Sequence, residues 1–382
     1  MSYEDRIKKF QEILSADLAF FPVSSDLQYL TGIPRPIPCY GAEIHTGSWL
    51  MGAWFAPDKT PILTLPRMMA DFGGFGSSDA VELRVLGDFD DPAAMVRAIL
   101  KDFGIGDAPT VAISNWTEGE TVAELGPIIP DATFVSATDM LRTLRTIKSE
   151  DEIVVMRRAG EITEAAFADV FKQMKHGMTE LEVVMEVDYQ LRRHGALGPS
   201  FTTALYNSGP GHPVKFGAAL ETWKRPLNPP VSILFDFGAA HDGFCYDFGR
   251  TVFFGEPDAQ YREIFELIMS SQAAGIAALK SGEVTTSDVD AVARQVIIDG
   301  GYGDWFRHRL GHGIGMDVHE PPYLVEGNDT PVQEGMMFTI EPSIIAFDHP
   351  NKFSCRVEDV IVARPGGGEA LTSGFQEMQV IP

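Results

Sequence analysis

Cysteine is nearly missing from these 382 residues: only Cys39, Cys245 and Cys355 occur. They are far apart, odd in number and never spaced C-x-x-C. That argues against a disulfide framework and a cysteine zinc site, and fits a reducing cytoplasm. Long apolar runs are missing too; no stretch reaches the roughly 18 uncharged apolar residues of a membrane span. The start, Met1-Ser2-Tyr3-Glu4-Asp5, has no basic segment leading into an apolar one, so no secretion signal is expected. Positive charge is scarce: 30 Lys+Arg against 54 Asp+Glu give a formal net charge of -24. A surface of that sign repels nucleic acid and anionic lipid, so neither is expected as a partner. Finally, no G-x-G-x-x-G follows a strand and no G-K-[ST] occurs, so the usual phosphate cradle of a nucleotide site is lacking.

What is present is an ordinary globular balance, 45% hydrophobic and 22% charged, in a chain long enough for two domains. The first third alternates. Ile7, Phe10, Ile13 and Leu14 have helical spacing within 2–16, and strands are expected at 18–23, 49–55 and 61–65. A helix at 92–103 and a strand at 110–114 continue the α/β pattern. A domain change is expected near Lys148, dividing the chain into 1–145 and 146–382. Ser149 with Glu152 reads as a capping box opening a long helix over 150–174, followed by a second over 179–194. Strands at 231–237 and 249–254, helices at 257–280 and 286–299, and strands at 336–345 and 356–363 complete the chain. Two helices and two strands, stated twice, predict an α+β domain with internal pseudo-duplication.

Each half carries a pair of acids in apolar strands. Asp236 follows Ile233-Leu234-Phe235, and Asp242-Gly243 is a strong hairpin dipeptide. Folding there puts Asp236 and Asp247 on one face, opposite or diagonal to each other. Glu341 follows Met337-Phe338-Thr339-Ile340, and a return centred on 349/350 sets it opposite Glu358. Charges in such strands need a partner or a metal. His312, between Gly311 and Gly313, adds an imidazole, and His319 follows seven residues on. Four carboxylates and one imidazole favour Mn²⁺, Fe²⁺ or Co²⁺, with Zn²⁺ also compatible, and suit two ions sharing ligands.

These segments together resemble the creatinase/prolidase/methionine-aminopeptidase superfamily, M24-like metallohydrolases of the pita-bread fold, and within it the Xaa-Pro branch of prolidase and aminopeptidase P. The resemblance runs through Ser24-Ser25-Asp26-Leu27-Gln28-Tyr29-Leu30-Thr31-Gly32, Leu144-Arg145-Thr146-Ile147-Lys148, Asp236-Phe237-Gly238, Asp247-Phe248-Gly249-Arg250-Thr251, Gly311-His312-Gly313-Ile314-Gly315, Ile340-Glu341-Pro342 and Arg356-Val357-Glu358-Asp359. It implies a creatinase-like N-terminal α/β domain at 1–145. After it, at 146–382, it implies a pita-bread catalytic domain, a curved and mainly antiparallel sheet with helices on the outer face. It implies two divalent ions, Mn²⁺ first, held by Asp236, Asp247, His312, Glu341 and Glu358, which activate water against a peptide carbonyl. Glu341 would shuttle the proton, and His319 would stabilise the tetrahedral intermediate. Arg356 would hold either a metal-ligand carboxylate or a substrate carboxylate.

The sequence departs from the family upstream of Asp236. His212 is the local candidate for the family's other active-site histidine; its spacing to Asp236 is longer than the family usually shows, and its motif, Gly211-His212-Pro213-Val214, resembles that of creatinase. The expected function is therefore a cytoplasmic, homodimeric hydrolase of Xaa-Pro peptides, either dipeptidase or aminopeptidase. The alternatives are a C–N hydrolase or lyase acting on a creatine- or ectoine-like small molecule, and a metal-free binding protein. The proline-rich stretch 34–40 and residues 45–49 are expected to form a stiff loop that covers a partner's active site.

Overall fold

The computed structural model describes residues 1–37, 47–73, 78–215, 217, 219–345 and 353–382. Of the expected covering loop, residues 38–40 and 45–46 lie outside the described residues. The chain divides into two compact units, Met1–Arg145 and Thr146–Pro382.

The first unit is built on a mixed sheet. Its strands run in the spatial order Glu82–Leu86, Ile62–Pro66, Gly52–Phe55, Leu18–Pro22, Thr110–Ile113, Thr133–Ser136. One sheet face packs Phe20, Trp54 and Val111 against Val96, Ile99, Leu100 and Phe103 of the helix Pro92–Phe103. That helix has the bounds expected from sequence, with Asp91 capping Ala93 N–H and Gly104 ending it in the left-handed region. The stretch 49–55, expected to be one strand, instead starts as a 3₁₀ turn at Ser48–Leu50, and only Gly52–Phe55 pairs.

The second unit repeats one plan. In the first half, the helices Glu150–Gln173 and Glu180–Arg193 accompany the strands Ala204–Ser208, Val231–Phe237 and Phe248–Phe254. In the second half, Ala259–Ala278 and Thr286–Asp299 accompany Gly311–Gly313, Met337–Ile340 and Asp359–Arg364. Three of these four helices open on reciprocal capping boxes, Ser149/Glu152, Thr179/Glu182 and Thr285/Asp288. The first half is held by a cluster of rings in which Phe167 meets Phe235, Phe248 and Phe375 edge-on. The second packs Ile268, Val289, Ala293, Ile297, Phe338 and Ile340. No helix of the described residues is long and apolar enough to cross a membrane.

Two expected strands are interrupted. Residues 336–345 divide into Met337–Ile340 and Ser343–Ile345, and 356–363 into Ser354–Arg356 and Asp359–Arg364. Pro342 has no N–H to give to a ladder. Glu341 N–H donates instead to Leu310 O at 2.9 Å, and Glu358 N–H to Gly249 O at 2.9 Å. Both interruptions fall where carboxylates are carried.

Candidate metal centre and active site

The turn at 242/243 sets the first acid pair. Asp242 and Gly243 both have left-handed backbones, φ 46° and 82°. The ladder pairs Ala240 with Cys245 and His241 with Phe244. The same register puts Asp236 opposite Gly249, so Asp236 and Asp247 are diagonal neighbours. The second pair is set by the ladders on either side of it, Ile340↔Asp359 and Ser343↔Arg356. Between those steps Glu341 falls opposite Glu358, the register anticipated from the sequence. The two hairpins are joined directly, because Gly249 and Glu358 exchange both backbone hydrogen bonds, at 3.2 and 2.9 Å.

His312 reaches this cluster from the short strand Gly311–Gly313. A Cβ at Gly311 would stand 1.9 Å from Thr339 O, so only glycine lets the strands approach this closely. His312 Nε2 lies 3.5 Å from both Asp247 Oδ2 and Glu341 Oε1. Its Nδ1 is 3.0 Å from Gly313 O. A proton on Nδ1 would be donated to that carbonyl and would leave the Nε2 lone pair facing the acids, the tautomer a metal requires.

The cluster is buried and short of positive charge. Burial pushes the Asp247, Glu341 and Glu358 carboxyls up from their ordinary range, Glu358 furthest. The cation placed among them is Arg356. Its Nη2 lies 2.8 Å from Asp236 Oδ2 and 3.1 Å from Glu358 Oε2, and its Nη1 lies 3.4 Å from Glu341 Oε2. Burial works against the Arg356 charge, but Asp236, Glu358 and Glu341 outweigh it and hold the guanidinium protonated. Arg356 Nη1 donates to Glu341 Oε2 at 3.4 Å, whereas Arg356 Nη2 and Nε, Asp247 Oδ1 and Glu358 Oε2 are all buried without a hydrogen-bond partner among the described residues. The acids crowd a space that Arg356 does not satisfy fully with directed bonds.

Four carboxylates against one guanidinium leave three negative charges uncompensated. Asp247, His312 and Glu358 each offer a donor atom, all within 4.8 Å of one another. Orphaned oxygens, a converging imidazole and a charge deficit together fit a divalent-cation site.

A cavity of 420 Å³ opens onto the cluster. Its wall includes Asp236, Asp247, His312, Glu341, Arg356 and Glu358, with Phe201, Val214, Leu234, Val318 and Ile345 supplying an apolar side. His319 also lines it, with its ring edge-on to His312 at 4.2 Å between centroids. Burial, then the charges of His312 and Arg309, lower the His319 ring to about 4.

His212 does not join them. Its ring Nε2 lies 3.1 Å from Pro226 O, and it is not among the described residues lining the cavity. A tight return, in which Gly209 and His212 exchange backbone hydrogen bonds at 3.0 and 3.1 Å, turns it into the loop before Val231. A further histidine lining the cavity is His308, which was not anticipated. It is packed between Arg309 O and the Ser343 hydroxyl, and burial, aided by Arg356, lowers it to about 4. Arg309 and Tyr206 are further cavity residues that were not anticipated. The only signal available in the sequence was the nearness of His308 and Arg309 to the Gly-His-Gly motif.

The profile of metallopeptidase family M24 matches residues 154–365. An Xaa-Pro dipeptidase of Lactobacillus delbrueckii subsp. lactis is 37% identical over 85% of this chain and 86% of its own. A recombinant prolidase from Thermococcus sibiricus superposes with a TM-score of 0.87 at 26% identity, covering 100% of both chains. An X-Pro aminopeptidase from Thermotoga maritima gives 0.79, also at 26%, over 98% of this chain and 100% of that one. The pita-bread α+β architecture expected from the sequence is the fold of this chain.

Proposed function

The chain belongs to metallopeptidase family M24 and is a peptidase; from that premise we propose that it hydrolyses Xaa-Pro bonds in small peptides, using two divalent ions, Mn²⁺ foremost. Asp236, Asp247, His312, Glu341 and Glu358 would hold them. One observation carries this reading: five donor groups from two separate hairpins and a third strand face one cavity, with the Arg356 guanidinium set among the carboxylates. One divalent ion would leave the cluster at -1 and two would take it to +1, and shared carboxylates suit a pair.

When bound, the ions supply Lewis acidity and make a water nucleophilic near neutral pH. Glu341, whose Oε1 accepts from the Thr339 hydroxyl at 3.2 Å, takes the proton from that water and passes it to the departing amine. His319 donates an N–H to the carbonyl oxygen as charge develops there. Arg356 keeps Asp236, Glu341 and Glu358 from repelling one another apart. The apolar wall of Phe201, Leu234 and Ile345 receives the substrate's side chains and excludes bulk water. A cavity of 420 Å³ sits near the lower end of the roughly 300–1,000 Å³ usual for small ligands, which favours short peptides over folded proteins. A homodimer belongs to the same proposal, and light scattering in solution tests it.

The decisive test is to strip the protein of metal, reload it separately with Mn²⁺, Co²⁺, Fe²⁺ and Zn²⁺, and assay Xaa-Pro di- and tripeptides alongside elemental analysis. Cleavage with two ions per chain is expected. Failure to cut any Xaa-Pro peptide with any of these metals refutes the proposal.

A further inference from the structure

The stretch 209–226, where the sequence departs from its family, brings Val214 to the cavity wall. Two ties flank Val214 in the chain. Lys215 Nζ donates to Glu221 Oε2 at 2.6 Å, but both side chains are exposed, and an exposed pair of that kind fixes little. Arg225 Nη1 donates to Pro213 O at 3.0 Å, and its Nη2 donates to Glu180 Oε1 at 2.9 Å. This second tie is shielded: the Glu180 side chain is 3% exposed and that of Arg225 19%. Glu180 opens the helix Glu180–Arg193, whose N-terminal end favours an anion. It also accepts from Asn207 Nδ2. Asn207 belongs to the strand Ala204–Ser208, and the alternation that sends Ala204 and Tyr206 to the cavity sends Asn207 to the opposite face. One buried carboxylate thus joins the rear of a cavity strand to the guanidinium that holds the backbone beside Val214.

A planar fork with two fixed arms sets the spacing between its two partners, which a point charge cannot do. Here one arm rests on a helix-anchored carboxylate and the other on the carbonyl directly before Val214. Val214 completes the apolar side of the cavity with Phe201, Leu234, Val318 and Ile345, whereas neither Glu180 nor Arg225 is among the described residues lining it. Packing contacts fall away steeply with distance: a gap of about 0.5–1 Å forfeits a quarter to a half of each. We infer that Glu180 and Arg225 are positioning residues that hold Val214 in the cavity wall, and so set how well the site accepts a bulky apolar side chain on its substrate. This rests on the Xaa-Pro reading above and deepens it, by naming a pair remote from the chemistry that tunes the choice of Xaa. A loosened Val214 would lose contacts with leucine at that position and none with glycine.

The test reads a ratio that general weakening would not move. Reduced-amide Leu-Pro and reduced-amide Gly-Pro, which cannot be hydrolysed, are titrated calorimetrically into metal-loaded wild type, Val214→Ala, Arg225→Lys, Glu180→Gln, the double variant Val214→Ala/Arg225→Lys and the control Lys215→Met. Thermal melting and elemental analysis confirm that each is folded and loaded. Val214→Ala should lower the preference for the leucine probe roughly 4- to 15-fold, the worth of one to two buried methylene groups. Arg225→Lys keeps the charge but loses the fork, and should lower it roughly 2- to 4-fold. Glu180→Gln should act in the same direction. In the Val214→Ala background Arg225→Lys should add nothing, because its effect passes through Val214. Lys215→Met should leave the ratio unchanged. An unchanged ratio in Arg225→Lys or Glu180→Gln, additive losses in the double variant, or an equal loss in Lys215→Met overturns the assignment. Should wild type bind neither probe, the Xaa-Pro reading fails, and amide hydrogen exchange over 209–215 decides the clamp by itself: faster exchange in Arg225→Lys than in Lys215→Met supports it, and equal exchange overturns it.

Discussion

Replacing Arg250 with Met should be among the most destabilising single changes available in the second unit. Arg250 is 2% exposed, and every donor of its guanidinium is used. Nη2 donates to Asp359 Oδ1 at 2.7 Å and Gly374 O at 2.9 Å. Nη1 donates to Gly249 O and Glu358 O, each at 2.8 Å, and Nε to Phe375 O at 3.0 Å. The plane also stacks on Phe248 at 4.4 Å. Methionine fills much of the same volume, so the cavity cost is small. The main loss is the charge partner of a buried Asp359, for which breaking a buried pair typically costs about 3–5 kcal/mol. In a unit of 237 residues, Thr146–Pro382, each kcal/mol lowers the melting temperature by about 2–4 °C, so a fall of about 6–20 °C is expected. Near-UV circular dichroism on heating measures it. The companion variant Asp359→Asn tests the cause. If the ion pair dominates, the double mutant will lose clearly less than the sum of the singles, by more than the roughly 0.5 kcal/mol within which independent sites add. A fall below about 2 °C in Arg250→Met, or additive singles, would refute the reasoning. Because Gly249 O and Glu358 O share one nitrogen, the variant should also weaken metal binding.

Asp247→Ala and Glu341→Ala should each reduce peptidase activity by more than about 100-fold, exceeding the loss typical of a supporting partner around a metal. Asp247→Ala should also lose bound metal on elemental analysis. Lys148 and Glu320 form a buried ion pair at 3.1 Å, and Glu320 Oε1 accepts from Asp317 N–H at 3.0 Å, bracing the segment that carries His319. Lys148→Met should therefore lower kcat about 10-fold while leaving metal content unchanged, a split that a steady-state assay with elemental analysis will resolve. Burial pushes the Cys355 thiol up to about 12, so at pH 8 only about one molecule in ten thousand carries a thiolate. Cys355 should resist iodoacetamide in the native protein and react on unfolding, as read by mass spectrometry of the labelled peptide.

The local structure was readable where a single interaction decides it. Ser149/Glu152 and the turn at Asp242-Gly243 act over three or four residues, and both formed as their chemistry requires. The pairing of Glu341 with Glu358 was legible for a different reason: in a hairpin, one turn centre dictates every pair on both sides of it. The interruption at Glu341-Pro342 was available in the proline but is overridden in a simple apolar-run reading. The contents of the cavity were not readable. His308, Arg309 and Tyr206 come together only when separate strands close, and no periodicity in the sequence distinguishes a guanidinium that stacks on Tyr323 from one in solvent. The placement of His212 was not readable either: its glycine- and proline-rich setting resembles a motif, and the Gly209 return turns its ring to Pro226 O.

The double backbone link between Gly249 and Glu358 has a bearing on how this protein can change over generations. It makes the two halves share a joint that is indifferent to side-chain identity. The pairs Ser343↔Arg356 and Ile340↔Asp359 pin both sides of the joint, so changes elsewhere in the chain should leave it in register. Peripheral segments near the cavity can thus drift in size and chemistry, and with them the choice of substrate, while the acids at the joint keep their spacing.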